Sequence, residues 1–146
     1  MQNLESSSTI NKKIKLDFKD SKYATGRRKR SIAKVWVKKG SGNIHVNGLK
    51  MNEYFKRPVH QIIVTRPLEI SEVASNYDVR CFVKGGGLSG QAGAIILGIS
   101  KALIAHDENL KKSLKKDKLT TRDSRVVERK KYGHRKARRS FQFSKR

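Results

Sequence analysis

The chain has 146 residues, of which 35 are Lys or Arg and 12 are Asp or Glu, so its formal net charge is +23. The length accommodates one domain of ordinary size, and the single cysteine, Cys81, excludes an internal disulfide framework. Because positive charge at this density repels itself unless a polyanion neutralises it, we expect nucleic acid as the partner, with an acidic membrane surface as the weaker alternative.

The first 21 residues are polar and contain a run of serines and mixed charges. They lack the basic start and apolar core of a secretion signal. We therefore expect a flexible N-terminal extension over residues 1–21 and an intracellular protein.

Apolar and polar residues alternate over residues 31–39, which predicts a half-buried strand. Residues 40–42 then turn the chain and residues 43–46 return it, so this pair predicts a β-hairpin. A second turn follows at Asn47–Gly48, and apolar residues at helical spacing over 51–55 predict a short helical turn.

Pro58 suits the start of a helix, with Val59, Ile62 and Ile63 as its apolar stripe. We expect this helix to end at Pro67, because the residue before a proline avoids the α region.

Residues 76–84 alternate clearly and predict a strand that carries Cys81 on its buried face. Three glycines follow, and apolar residues then recur at i, i+3, i+4, i+7 and i+11 from Ala92, which is typical of an amphipathic helix. Leu110 and Leu114 continue in a more charged helix. Residues 22–118 therefore predict a small layered body in which helices cover one face of a sheet.

Residues 119–146 lose this periodicity. From Arg129 to Arg146 there are nine basic residues and no acidic one, with Tyr132, Phe141 and Phe143 interleaved. Such a segment cannot bury enough apolar area to offset about 1–2 kcal/mol of backbone ordering per residue, so we expect it to be disordered when free. Its cations suit phosphates and its rings suit unpaired bases, which are found mainly in folded RNA.

A second basic cluster, Arg27, Arg28, Lys29 and Arg30, follows Gly26. If Gly26 makes a tight turn, these residues form a loop at the edge of the first strand. The alternatives are a localisation signal and a solvated loop. Two clusters in one chain favour a long contact with a large polyanion.

Residues 85–90 fit the pattern G-x-G-x-x-G between a predicted strand and a predicted helix, with an acid 22 residues after Gly85 at Asp107. We reject a dinucleotide site, because Asp107 follows a helix and no second apolar strand comes after it. Two interpretations stay open: the glycines permit a sharp turn, or the bare amides at the helix start bind an RNA phosphate.

No catalytic constellation is evident. The acids are scattered, Ser89 is interpreted as a helix N-cap with no histidine in an obvious relation to it, and the four histidines have no metal-ligand spacing. We expect a non-enzymatic protein without metal or cofactor.

Five motifs carry a resemblance to a known family. They are the run YATGRRKRSIAKV from Tyr23, the turn VNG at 46–48, the stretch VKGGGLSGQAGA at 83–94, the block LTTRDSR at 119–125 and the ending FSKR at 143–146. In this order and at these distances the chain resembles bacterial-type small-subunit ribosomal protein S9 over residues 22–146.

The resemblance implies an α+β two-layer body like the second domain of ribosomal protein S5, with a left-handed βαβ unit and a long basic C-terminal tail. It implies three segments: a flexible extension (1–21), an RNA-binding body (22–118) and an extended tail (119–146). It also implies a place in the head of the small subunit of a cytoplasmic, bacterial-type ribosome, on the 3′ major domain of the ribosomal RNA and beside other head proteins. An organelle of bacterial descent is the alternative compartment.

The resemblance further implies individual contacts. The positions that match segments lying on ribosomal RNA are Arg27, Arg28, Lys29, Arg30, Arg122, Arg125, Arg129, Lys130, Lys131, Tyr132, Arg135, Lys136, Arg138 and Arg139. Ser144, Lys145 and Arg146 match the tail tip, which reaches the anticodon stem-loop of the transfer RNA in the peptidyl site. Two rival functions are a nucleotide-using enzyme built on the glycine turn and another RNA-binding protein, such as the protein part of ribonuclease P, whose arginine-rich helix motif is missing.

Overall fold

A computed structural model describes residues 19–145. The predicted N-terminal extension lies outside the described residues apart from residues 19–21. In chain order the elements are β1 (Lys22–Arg28), β2 (Ser31–Lys39), β3 (Ile44–Val46), β4 (Leu49–Lys50), α1 (Met51–Tyr54), α2 (Pro58–Ile70), β5 (Tyr77–Lys84), α3 (Leu88–His106), a 3₁₀ turn (Glu108–Leu110) and α4 (Lys111–Lys116).

The five strands form one mixed sheet in the order β1-β2-β5-β3-β4. Strand β2 runs antiparallel to both β1 and β5, whereas β3 pairs parallel with β5 and antiparallel with β4. Helix α3 lies across β1 and β2, and α2 packs against α3. The α+β class is thereby confirmed.

The predicted hairpin between β2 and β3 is wrong, because β5 lies between these two strands. The turn after β2 instead wraps the start of β5, where Asp78 Oδ1 accepts hydrogen bonds from the backbone N–H groups of Ser41 and Asn43 at 3.0 and 2.8 Å. The hairpin partner of β2 is β1, and β3 turns into β4 through Asn47 and Gly48, both with positive φ.

Helix α2 begins at Pro58 as predicted but continues through Pro67 to Ile70. Proline lacks the N–H that would continue the helical ladder, yet Pro67 is fully buried and Leu68 is 2% exposed, so core packing offsets the missing bond. The predicted apolar stripe is wrong at two of its three residues, since Val59 and Ile62 are 64% and 61% exposed, whereas Ile63 is partly buried against the core. The buried face is one residue further along the helix.

The core lies between the sheet and α3. The alternation predicted for β2 and β5 is confirmed, with Cys81 only 1% exposed. Burial raises the pKa of the Cys81 thiol far above its ordinary value, so this cysteine is an inert core residue. Helix α3 has the length and hydropathy of a membrane-spanning segment, but most of it is buried in this core, as expected of a central helix.

Helical structure ends at Lys116, and Leu119 still packs into the core at 9% exposure. Between Leu119 and the last described residue, Lys145, the only regular pairing is an isolated bridge from His134 to Ser140.

Candidate nucleic-acid interface

The first basic cluster occupies the end and turn of the β1–β2 hairpin. Arg27 and Arg28 belong to β1, and Lys29 and Arg30 form the two-residue turn, so the predicted four-residue loop is wrong. Gly26 is not a turn residue, because it lies within β1. The side chains of Arg27, Lys29 and Arg30 are exposed. This hairpin tip presents three cations to solvent.

Arg28 has a different environment. Its side chain lies over Gly93 of α3, where a Cβ would overlap the guanidinium arm. Its Nε lies 3.4 Å from Asp123 Oδ2, an ion-pair distance, but it forms no hydrogen bond. Arg28 therefore joins the hairpin to the chain that follows α4.

Asp123 is also held by Arg125, whose Nη2 donates to Oδ2 at 2.8 Å and whose Nε donates to Oδ1 at 3.0 Å. The Arg125 side-chain hydrogen bonds, a backbone hydrogen bond from Arg125 and the charges of Arg125 and Arg28 hold the pKa of the Asp123 carboxyl well below its ordinary value. Because Asp123 remains ionised, it attracts both Arg28 of the hairpin cluster and Arg125 of the segment after α4. The two predicted basic segments are thereby linked.

The result is a continuous basic surface. Arg125, Val126 and Val127 line one shallow pocket together with Arg28 and Lys29. The structure therefore brings the hairpin cluster and the first part of the predicted tail side by side, although about 95 residues separate them in the chain.

The rest of the segment after α4 contains a small turn. Gly133 has a φ of 67°, the Arg135 N–H donates to the Arg139 carbonyl at 2.7 Å, and Arg138 pairs with Glu128 through two hydrogen bonds of 2.7 and 2.9 Å. That pairing lowers the pKa of Glu128 and raises that of Arg138. Arg138 is thus one predicted RNA contact that an acid of the same segment neutralises.

The other predicted contacts in this segment are exposed. The basic ones are Arg122, Arg129, Lys130, Lys131, Arg135, Lys136 and Arg139. Tyr132 is 93% exposed and Phe143 is 88% exposed, which leaves their ring faces open for stacking. Ser144 and Lys145 are exposed as well, whereas Arg146 lies outside the described residues.

Sequence reasoning missed a cavity of about 670 Å³ between the starts of α2 and α3. Its lining residues are Lys29, Arg30, Ser31, Arg57, His60, Gly86, Gly87, Leu88, Ser89, Gly90, Val126 and Val127.

The predicted N-cap role of Ser89 is wrong, because Gly87 is the N-cap of α3 and Ser89 lies inside the helix. Its Oγ is hydrogen-bonded to His60 Nε2 at 3.0 Å. The two residues are 29 positions apart in the chain, so local sequence patterns do not indicate this pairing. His60 Nδ1 has no partner, so the pair lacks the carboxylate that orients the base of a catalytic triad.

The sheet face opposite α3 carries an aromatic row across β1, β2 and β5. The ring centroids of Tyr23 and Trp36 are 5.1 Å apart, and those of Trp36 and Phe82 are 5.8 Å apart. The Arg80 guanidinium lies 4.8 Å from the centre of the Phe82 ring. Alternation predicted that Trp36 and Phe82 face outward, but not Tyr23, and the lateral row depends on strand register, which the local pattern does not contain.

Among residues 19–145 there is no group of three His, Cys, Asp or Glu side chains arranged to hold a metal ion. The features that the site does possess are exposed guanidinium and ammonium groups, open rings and uncapped helix starts. In complexes of proteins with nucleic acids, groups of these kinds are the usual contacts to phosphates and bases.

A comparison with protein families identifies the family of this chain. The family model described as Ribosomal protein S9/S16 matches residues 26–146, which is most of the chain and includes the hairpin tip, the cavity and the entire segment after α4.

Proposed function

The chain belongs to the ribosomal protein S9/S16 family of small-subunit, RNA-binding structural proteins, and from this premise we propose that it occupies the head of the small subunit on the 3′ major domain of the ribosomal RNA. The observation that carries the proposal is the continuous basic surface of the hairpin tip and residues 125–127, within the matched region. The same proposal includes neighbouring head proteins as partners and a cytoplasmic, bacterial-type ribosome as the location.

We assign the work to two parts of the chain. The body, residues 22–118, docks on folded RNA, and the tail, residues 119–146, condenses along phosphates as the subunit assembles. Counterion release and ring stacking offset the ordering entropy of the tail. The exposed rings of Tyr132 and Phe143 and the exposed cations around them support this assignment.

The fold within the α+β class is part of the proposal. The parallel pairing of β3 with β5, joined through β4, α1 and α2, supports the βαβ unit of the S5-like fold. We infer that this crossover is left-handed, against the usual rule.

We further propose that Ser144, Lys145 and Arg146 hold phosphates of the anticodon stem-loop of the transfer RNA in the peptidyl site. Contacts from ammonium and guanidinium groups to phosphates read the backbone and carry no sequence information. The tip would therefore serve every transfer RNA alike.

The test is a deletion of residues 144–146. We expect small subunits to assemble normally and to bind transfer RNA in the peptidyl site more weakly, as measured by filter binding to purified subunits. The matched control, Lys130→Gln with Lys131→Gln, removes two cations from the middle of the tail and should impair incorporation into subunits instead. Impaired assembly with normal transfer-RNA affinity in the deletion variant would show that the two roles are wrongly assigned.

A further inference from the structure

We propose that the cavity between the starts of α2 and α3 binds one phosphate group of the ribosomal RNA backbone through the bare amides of the first turn of α3. The inference rests on the proposed RNA-binding function and assigns it a specific pocket. It also divides the glycine run between the two interpretations that the sequence left open.

Two helix N-termini meet at this cavity. Arg57 is the N-cap of α2 and Gly87 is the N-cap of α3, and both line the cavity. Neither N-cap makes a side-chain capping hydrogen bond, and neither first turn contains an acidic residue. At α2, Pro58 has no N–H and the His60 N–H donates to the Arg57 carbonyl at 3.0 Å, so the unpaired amides of this cavity are mainly those of α3. These amides and the partial positive charge of both helix starts favour an anion here.

The three glycines do not serve the same purpose. Gly85 and Gly86 have φ values of 77° and 63°, and a Cβ at either would collide with the Arg30 carbonyl or the Ser31 hydroxyl. These two glycines are explained by the sharp turn between β5 and α3.

Gly87 is not explained in this way. Its φ is −105°, which any residue adopts, and a Cβ there would meet no atom of the described chain within 4 Å. Ser or Asp would fit and would cap the helix at least as well as glycine. A glycine that the fold does not require, at an uncapped helix start, leaves the amides accessible to a ligand.

His60 supplies an independent indication of a ligand. The residue is 7% exposed and lines the cavity, and its Nδ1 is buried without a hydrogen-bond partner. When the Ser89 hydroxyl donates to Nε2, the neutral ring carries its proton on Nδ1, which is then an unsatisfied donor. Buried donors are rarely left unpaired, and a phosphate oxygen is a suitable acceptor.

The charges around the cavity favour a polyanion. Lys29, Arg30 and Arg57 line it, and none of its lining residues is acidic. Val126 and Val127 also line it, so the cavity opens on the basic surface formed by the hairpin tip and Arg125. A strand of RNA on that surface would bring further phosphates to the neighbouring cations, whereas a free phosphate would use the cavity alone.

The experiment compares three full-length variants with the wild-type chain. Gly87→Asp fills the N-cap with a carboxylate that occupies the amides and repels phosphate, and Gly87→Asn caps the same amides without charge. Ser75→Asp is the matched control, because Ser75 is exposed and precedes β5, at the opposite end of that strand from Gly87. The probe is a transcript of the 3′ major domain of bacterial small-subunit ribosomal RNA, titrated by filter binding over a series of salt concentrations.

We expect Gly87→Asp to weaken binding of the transcript by about tenfold or more, which is the size of a lost hydrogen bond to a charged group. We also expect its salt dependence to become shallower by about 0.7 to 0.9 log units per decade, the contribution of one phosphate. Gly87→Asn should lie between this variant and the wild type, and Ser75→Asp should stay within about twofold of the wild type. Thermal unfolding should show no loss of stability in the two Gly87 variants, because Asp and Asn are both good N-cap residues.

Equal RNA affinity for Gly87→Asp and Ser75→Asp would overturn the phosphate site and leave the proposed function intact. A wild-type chain that fails to bind the transcript would instead overturn the proposed function. Parallel titrations with inorganic phosphate and with ATP separate the sources of phosphate. The assignment to RNA would be overturned if the wild-type chain bound inorganic phosphate or ATP tightly and Gly87→Asp lost that binding while it still bound the transcript with normal affinity.

Discussion

Lys29 holds a left-handed backbone conformation at the tip of the β1–β2 hairpin, with φ at 51°. A side chain in this region costs roughly 1 kcal/mol relative to the ordinary conformations, and glycine avoids that cost. Lys118, just after α4, has the same conformation with φ at 57°. A lysine at the exposed hairpin tip is thus unfavourable for folding, and it places an exposed cation there.

We therefore predict that Lys29→Gly raises the free energy of unfolding by up to about 1 kcal/mol and at the same time weakens binding to ribosomal RNA. Urea denaturation should show a similar increase in the free energy of unfolding for Lys118→Gly, which removes the same charge at an equivalent backbone conformation. RNA affinity should fall more for Lys29→Gly. Equal losses of affinity in the two variants would show that the hairpin tip has no special part in binding.

At the residue scale, the sequence predicts what depends on local periodicity. The buried positions of β2 and β5, including Cys81, follow from alternation because each strand is buried on one face only. The pairing of His60 with Ser89 could not be predicted, since it arises where two helix starts meet in space. One signal was available: Pro58 marks the start of α2 and so places His60 in its first turn.

Contact between β1 and α3 depends on a close approach of two backbones. A Cβ at Gly26 would overlap the Ala94 carbonyl and crowd the Gly98 N–H of α3. Backbone atoms cannot move aside without shifting the whole helix, so this glycine sets the distance between the sheet and α3.

We predict that Gly26→Ala lowers the free energy of unfolding by about 1–3 kcal/mol or more, the usual effect of inserting a group into a packed core. Gly87→Ser is the matched control, because a Cβ there meets open space and serine is at least as good an N-cap as glycine, so stability should not fall. Urea denaturation followed by circular dichroism measures both. A Gly26→Ala protein as stable as the control would mean that the sheet and α3 can separate freely.

The elements themselves were only partly predictable. Strand β1 was missed because its sequence, KYATGRR, buries only Gly26 fully and so lacks an apolar alternation. The hairpin of β2 with β3 was wrong because turn residues indicate that a chain reverses, but not which strand it pairs with. Strand β5 begins more than 30 residues after β3, yet it takes the central position in the sheet and pairs with both β2 and β3.

Across the whole molecule, the few acidic residues near the basic surface form ion pairs that connect separate parts of the chain. Asp123 links Arg28 of β1 to Arg125, and Glu128 pairs with Arg138. The chain that follows α4 is therefore held to the hairpin by an ionic junction, with Leu119 buried just before it. Composition predicted the charge of this region, but not that a carboxylate holds its first residues against the hairpin.

This junction has a definite pH dependence. Asp123 has a pKa below its ordinary value of 3.8, chiefly because Arg125 donates hydrogen bonds to the ionised carboxylate, with further contributions from the charges of Arg125 and Arg28. A lowered pKa in the folded state means that the ionised group stabilises the junction fully above pH 4 or so. That stabilisation is lost as the pH falls through the lowered value, when the carboxyl takes up a proton.

We predict that Arg125→Gln moves the titration midpoint of Asp123 upward, toward its ordinary value, because the strongest partner of the carboxylate is removed. The backbone hydrogen bond from residue 125 and the charge of Arg28 remain, so the midpoint should stay below 3.8. Carbon NMR of the labelled carboxyl group measures the midpoint directly, and Arg122→Gln removes the same charge from a neighbouring residue as a control. If both variants titrate like the wild type, Arg125 does not hold Asp123 in solution, and only Arg28 is left, among the described residues, as a charged partner of this carboxylate.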